Sequence, residues 1–426
     1  MMKLLILLMA CQNTEEVQGL ESTEREVNHQ DLSSKKVNPK KEFIPNPPFP
    51  GQGSGAGMQG GMKAGKHQGP SSFKAKPTFK WSSEAKENPK SIILISLDTL
   101  QAQRMEIYGG RAKTPNLKEF SNSSILFYKA ISHFPETALS HWSMMTGVLP
   151  EVHGNVPANG GSIYTGPTLA EIAKSQGYVT AGFIGGVTMT DQSSGFARGF
   201  DVYDDKFSFK MEDMSRDGNE VTKKATEWIQ KQKKPYFAFV HYFDTHFPYT
   251  PTQNLYDPDY KGVIDGSDAV LRPYRDGEKT PSARDIEHIL ALYDAEITEL
   301  DAKIAPILRL ADENTIVVVT SDHGESFSHE YYFNHRAGLW DEITHIPLLI
   351  SHSEAVKIPQ QVGLIDLLPT VLDLAGLPKD ERMQGESKVS LLDGEGKGQE
   401  YVYSITDPWM KNPQFAVRTQ NFKWIQ

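Results

Sequence analysis

Uninterrupted apolar runs separated by helix-period segments dominate the chain from about residue 90 onward. Ser91-Ile92-Ile93-Leu94-Ile95-Ser96-Leu97 and Thr315-Ile316-Val317-Val318-Val319-Thr320 show no polar alternation. That is the pattern of parallel strands buried on both faces. Further strands are predicted over 126–130, 178–184, 236–243 and 347–350. Helices are predicted from Pro115, over 137–145 with a stop at Thr146-Gly147, and over 168–176 with a stop at Gly177. Others are predicted over 219–232, 283–310 and 363–376. The segment 283–310 carries Ile286, Ile289, Leu290, Tyr293, Ile297, Leu300 and Ile304 at helical spacing. Alternating strands and helices predict an α/β domain over 89–380, with a mainly parallel sheet sandwiched by helices, and a short C-terminal subdomain over 381–426.

The front of the chain has a different texture. Residues 12–88 are polar, charged and poor in aliphatics, and residues 51–70 contain eight glycines without a collagen period. This composition predicts a disordered tether. Ahead of it, Met1-Met2-Lys3 is a basic start, and Leu4 to Ala10 is an apolar run too short to span a bilayer. Leu8-Met9-Ala10-Cys11 resembles the lipobox of a bacterial lipoprotein signal, which implies a signal over 1–11 and diacylation of Cys11. It also implies a lipid-anchored place in the bacterial cell envelope, on the periplasmic side or at the outer membrane. Cys11 is the one cysteine in the sequence, which excludes an intrachain disulfide and a thiolate metal site. The formal net charge is −10, with no basic stripe interleaved with aromatics, so nucleic acid is excluded as a partner.

The chemistry gathers at strand ends. The first long apolar run ends in Asp98 and the last in Asp322-His323-Gly324-Glu325. If the two strands are neighbours, Asp98, Asp322 and His323 converge at the carboxyl edge of the sheet, where open α/β sheets bind ligands. Two carboxylates and an imidazole suit one divalent ion; the imidazole favours Mn or Zn, with Ca and Mg as alternatives. Thr137 begins a predicted helix, where the dipole and free N–H groups favour an anion. A metal or base could activate its hydroxyl as a nucleophile. The alternative is that, as a helix-start residue, it is an N-cap alone.

From residue 91 to the end, a series of motifs in fixed order resembles the sulfatase branch of the alkaline phosphatase superfamily. They include Leu97-Asp98-Thr99-Leu100, Thr114-Pro115-Asn116-Leu117, and Ser140 through Gly147 followed by His153-Gly154. Asp244-Thr245-His246-Phe247-Pro248-Tyr249, Tyr293-Asp294-Ala295-Glu296-Ile297 and Thr320 through Glu325 continue the order. The resemblance implies a sulfatase-like fold and a metal-dependent hydrolase of sulfate, phosphate or phosphonate esters. It departs at the nucleophile: where sulfatases carry a formylglycine precursor, a Pro two residues on and an Arg four residues on, this chain has Thr137, Leu139 and His141. Thr is the nucleophile of phosphodiesterases and phosphotransferases in the same superfamily. The resemblance therefore implies Thr137 as nucleophile and metal ligand and His246 as general acid. It further implies His335 on the transferred group, His141 in place of the Arg, and Asn155 or Asn159 on a substrate oxygen. His241 is expected in the core and Glu325 as an orienting carboxylate. Two other functions remain open: a transferase of a phospho-headgroup to a glycan or lipid, and a non-catalytic binding lipoprotein. The sequence stops inside what resembles a C-terminal strand from Phe415 onward, so a shortened or incomplete C-terminal subdomain is expected.

Overall fold

The computed structural model describes residues 77–154, 164–208, 214–233, 235–329, 331–394, 396–407 and 412–426. Cys11, Asn155 and Asn159, and with them the lipidation and substrate-oxygen expectations, lie outside the described residues.

The main sheet has eight strands: β1 (Ser91–Leu97), β2 (Ser124–Ile131), β3 (Val179–Phe183), β4 (Val202–Asp204), β5 (Tyr236–Tyr242), β6 (Thr315–Thr320), β7 (His345–Ser351) and β8 (Val356–Gly363). Their order is β4-β3-β5-β1-β6-β7-β2-β8. β1 lies between β5 and β6 and is parallel to both. Among the eight, β7 runs against its neighbours β6 and β2. This reversal matters for the site. β6 leaves the sheet at its carboxyl edge and β7 enters there, so the whole connection 321–344 is confined to that edge.

The strands are buried on both faces because helices cover both. Ile93, Ile95, Leu97, Val317, Val319 and Val240 pack with Val221 and Ala225 of the helix Gly218–Ile229 and with Tyr293, Ile297 and Leu300 of the helix Ala283–Leu308. Ile92, Leu94, Ile316, Val318 and Phe239 pack with Trp142, Met144 and Met145 of the helix Thr137–Thr146, and with the helices Leu169–Ser175 and Leu367–Ala375. Side chains alternate along a strand. Continuing the second set toward the carboxyl edge brings Ser96, Asp98, Thr320, Asp322 and His241 onto the face of the helix that begins at Thr137. The register places Ser96 beside both His241 and Thr320.

Three expectations are corrected. β4 and β8 are edge strands that sequence reading passed over, β4 being three residues long and β8 carrying Pro359, which an edge tolerates. The helix expected over 363–376 starts later: Gly363 closes β8, a 3-10 turn covers Leu364–Asp366, and the α-helix runs Leu367–Ala375. The tether expected through residue 88 does not extend that far. Lys80 N–H donates to Asp380 Oδ2 at 2.8 Å, Ser82 N–H to Lys379 O at 2.8 Å and Lys86 N–H to Gly376 O at 2.8 Å, fixing residues 80–86 to the domain.

The C-terminal subdomain is a three-stranded antiparallel sheet, β9 (Val402–Ile405), β10 (Phe415–Arg418) and β11 (Lys423–Ile425). It braces the segment leading into Thr137. Ile405 N–H donates to His133 O at 2.9 Å, Ser404 Oγ to Ser132 O at 2.6 Å, and His133 Nδ1 to Tyr403 O at 2.7 Å.

Candidate active site

Asp98, Asp322 and His323 are fully buried, and one ligand atom from each lies within 4.8 Å of the others. The local bonding leaves one atom of each for a common guest. Asp322 Oδ1 accepts the N–H groups of His323 at 2.8 Å and Thr99 at 3.3 Å, and Oδ2 has no hydrogen bond but lies 3.2 Å from His323 Nε2. His323 Nδ1 donates to Gly324 O at 2.9 Å, which leaves Nε2, without a hydrogen-bond partner, as the ring's available ligand atom. Asp98 Oδ2 pairs with His241 Nε2 at 3.1 Å, and Oδ1 is left over. Buried polar atoms rarely go without a hydrogen bond, and here each of three clustered side chains keeps one such atom. They fit a divalent ion held by two oxygens and one nitrogen.

The electrostatics agree. Burial, and then the charge of Asp322, push the Asp98 carboxyl well above its ordinary range. Burial also pushes Asp322 up, but the His323, His141 and His241 rings outweigh it and hold it low. His323 is pulled down by burial, yet Asp322 and Asp98 raise it on balance. Two facing carboxylates in a dry site call for a positive charge between them.

Thr99 takes part in building this point. Its φ of 59° is left-handed, which is unfavourable for a β-branched residue. Its hydroxyl donates toward Thr245 O at 2.9 Å, and its N–H is thereby turned onto Asp322.

Thr137 opens the helix Thr137–Thr146, is buried, and lies near enough to the Asp98 carboxyl for its hydroxyl to lower that group's pKa. The helix is locked to both strand ends. Ser140 Oγ donates to Asp322 O at 2.7 Å. His141 Nδ1 lies 2.7 Å from Thr137 O, and because a carbonyl only accepts, Nδ1 carries the proton. His141 Nε2 then accepts from Ser96 Oγ at 2.8 Å. With both nitrogens engaged and the ring fully buried, His141 sits beneath the helix, where burial holds it neutral with a pKa of about 4. It orients the start of the helix and does not face an incoming ester.

His335 and His246 complete a row of imidazoles. The His335 ring centre is 4.2 Å from that of His323 and 5.5 Å from that of His246. His335 Nδ1 donates to Glu325 Oε1 at 3.0 Å, so Glu325 orients the ring and Nε2 carries its lone pair. His246 stacks on Phe243 at 4.1 Å and donates Nδ1–H to Phe247 O at 2.8 Å. Burial, then His335, holds His246 neutral with a pKa of about 3.

Four residues near the site were not read from the sequence as functional. His241, expected in the core, is there but also grips Asp98. Its signal was available: Ser96 and His241 are polar positions on faces otherwise apolar. Burial, then His323, depresses His335, and Arg275 and Arg336 add positive charge in the same direction. Arg336 directly follows His335, whereas Arg275 comes from a distant helix with no motif around it. Glu136, beside Thr137, is raised by burial to about 7, with Oε2 unpartnered.

Known proteins resemble this chain in sequence and in fold. A profile of the Sulfatase family matches residues 90–377. Arylsulfatase K of Canis lupus familiaris is 31% identical over 161 residues, covering 33% of this chain and 30% of that protein. The chain thus spans under a third of the length of that curated relative. The ulvan-active sulfatase of Formosa agariphila is 25% identical over 362 residues, 74% of this chain and 68% of its own length. In structure, the phosphonate monoester hydrolase of Agrobacterium radiobacter superposes with a TM-score of 0.64 at 17% identity, covering 79% of this chain and 87% of that one.

Proposed function

The chain belongs to the sulfatase family, and from that premise we propose that it hydrolyses sulfate, phosphate or phosphonate esters with Thr137 as its nucleophile. The observation that carries this reading is the meeting of three orphaned ligand atoms with a hydroxyl at a helix N-terminus. Asp98, Asp322 and His323 would hold one divalent ion, with Mn or Zn favoured by the imidazole. When bound, such an ion supplies Lewis acidity toward a hydroxyl and a phosphoryl or sulfuryl oxygen.

The chain's own residues divide the remaining work. The free N–H groups at the start of the helix Thr137–Thr146 favour an anionic ester. His141 and Ser140 hold that helix in register with the strand ends. An anionic ester supplies the negative charge that lets His335 take up a proton at Nε2, and with Arg275 and Arg336 it then stabilises charge on the transferred group. His246 Nε2 faces the leaving side; an anionic ester supplies the negative charge that lets this ring take up a proton and pass it to the leaving oxygen. Thr in place of a formylglycine precursor favours phosphorus esters, and the likeness in fold to a phosphonate monoester hydrolase is compatible with that. We further propose anchoring through Cys11 in the bacterial envelope, on the lipobox-like Leu8-Met9-Ala10-Cys11. No helix among the described residues is long and apolar enough to cross a membrane.

The test is turnover of 4-nitrophenyl sulfate, phosphate, bis-phosphate and phenylphosphonate with Mn, Zn or Ca added. Turnover lost on Thr137→Ala supports the reading. Equal rates in wild type and Thr137→Ala would remove Thr137 from the chemistry. Product formed only when an acceptor alcohol is present would favour a transferase.

A further inference from the structure

A cavity of about 270 Å³ adjoins the active site, with His246 and Phe243 in one wall. Its lining is rich in carboxylates: Asp244, Glu296 and Glu299 from the β5 exit and the helix Ala283–Leu308, and Asp217 from the start of the helix Gly218–Ile229. Two of these are deeply buried yet only half satisfied. Glu296 is 7% exposed; its Oε1 accepts Thr250 N–H at 2.6 Å and its Oε2 has no partner. The Asp244 side chain is 8% exposed; its Oδ1 accepts from Lys303 Nζ at 2.6 Å and its Oδ2 has no partner.

The cations of the lining do not balance these acids. Lys303 serves Asp244. Arg216 points its guanidinium at Asp204 and Glu220, outside the cavity lining. Burial, foremost, raises both the Asp244 and Glu296 carboxyls, which is the mark of carboxylates kept dry without enough counter-charge. A metal ion is a poor occupant. Among the described residues, only Asp98, Asp322 and His323 bring three ligand atoms within 4.8 Å of one another. The space suits a larger cation able to donate several hydrogen bonds at once, with the Phe243 ring as an apolar wall.

We propose that this cavity is a subsite for a protonated primary amine carried on the alcohol part of the ester, held by Asp244 and Glu296. This rests on the hydrolase reading above, because His246 then marks the side from which the alcohol leaves. An amine in the cavity would seat the leaving oxygen beside His246 Nε2 and exclude esters of neutral alcohols.

The experiment measures binding without turnover. Ligand-observed NMR titrations on the full chain compare glucosamine with N-acetylglucosamine, which keeps the ring but removes the charge. Glucosamine is expected to bind at least tenfold tighter, and Glu296→Gln and Asp244→Asn are expected to erase the difference. The wild-type comparison needs no variant to fold. Equal affinity for the two sugars, no binding of either, or a preference that survives in folded Glu296→Gln and Asp244→Asn would overturn the proposal. Thr137→Ala, lacking the proposed nucleophile, is expected to keep the amine preference. Loss of ester turnover in wild type with the preference intact would therefore remove the hydrolase reading alone. Turnover without an amine preference would remove the subsite alone.

Discussion

His241 Nε2 lies 3.1 Å from Asp98 Oδ2, with both side chains fully buried. The contact comes from neighbouring parallel strands, since His241 is paired in register with Ser96, two residues before Asp98. It fixes which carboxylate oxygen is spent and leaves the other, Oδ1, without a hydrogen bond. Partners behind a ligand typically change metal affinity by about 10–100-fold. His241→Ala is expected to weaken Mn or Zn binding by that factor, as read by competition with a chelator, while the melting temperature in the absence of metal confirms folding.

Metal itself should stabilise the fold. A ligand that binds only the native state at about 100 times its Kd adds about 2.7 kcal/mol. Wild-type protein stripped of metal is expected to gain in melting temperature when Mn or Zn is restored, and Asp322→Asn is not. A variant whose melting temperature rises as much as that of wild type would place the metal elsewhere.

Thr137→Ala and Thr137→Ser separate nucleophile from N-terminal packing. Ala removes the hydroxyl and is expected to lower kcat by at least about a thousandfold with metal content unchanged. Ser keeps a hydroxyl at the start of the same helix and is expected to restore measurable turnover. If neither variant changes kcat, Thr137 serves only the helix.

Gly218 begins its helix directly against Asp244. A Cβ there would lie 2.6 Å from both carboxylate oxygens. Gly→Ala ordinarily favours a helix by about 1 kcal/mol. Here the buried carboxylate, tied to Lys303, blocks the added methyl, and overpacking of this kind costs about 1–3 kcal/mol. Gly218→Ala is expected to be net destabilising in urea unfolding. A stabilised variant would mean that Asp244 moves aside freely.

Asp341 anchors the C-terminal sheet through Arg418 of β10 and through Lys423 of β11, whose Nζ lies at 2.9 Å. Burial pushes its carboxyl up, but these two cations outweigh it and lower the pKa from 3.8 to about 2. A depressed folded pKa stabilises above the unfolded value and is lost as pH falls toward the folded one. Protection factors for hydrogen exchange at β10 and β11, corrected for the intrinsic rate at each pH, are therefore expected to fall between about pH 4 and pH 2 in wild type. In Asp341→Asn that part of the pH response should vanish.

Much of this architecture is legible in a single chain, because burial on both faces leaves an unmistakable mark. β1 and β6 read as strands, and Asp98, Asp322 and His323 as one cluster, since the polar residues follow directly on apolar runs. The helix beginning at Thr137 announces itself through its apolar content and its Gly147 stop, which the structure places at φ 67°. Edge strands leave no such mark. β4 and β8 are half solvated and short or interrupted by proline, so their local pattern is that of loops. The reversed direction of β7 is equally silent, because an apolar run has the same composition in either direction.

What the chain alone determined was therefore the α/β class, the strands that end in Asp98 and in Asp322-His323, and the candidate hydroxyl of Thr137. The tertiary structure decided the rest through contacts made across long sequence separations. It set His241 behind Asp98 and drew His141 beneath the helix with both nitrogens occupied. It also brought Arg275 up to the row of imidazoles and enclosed Asp244 and Glu296 in one cavity. Hydrogen-bond completion and desolvation are properties of a site's whole surroundings, and no window of sequence contains those surroundings.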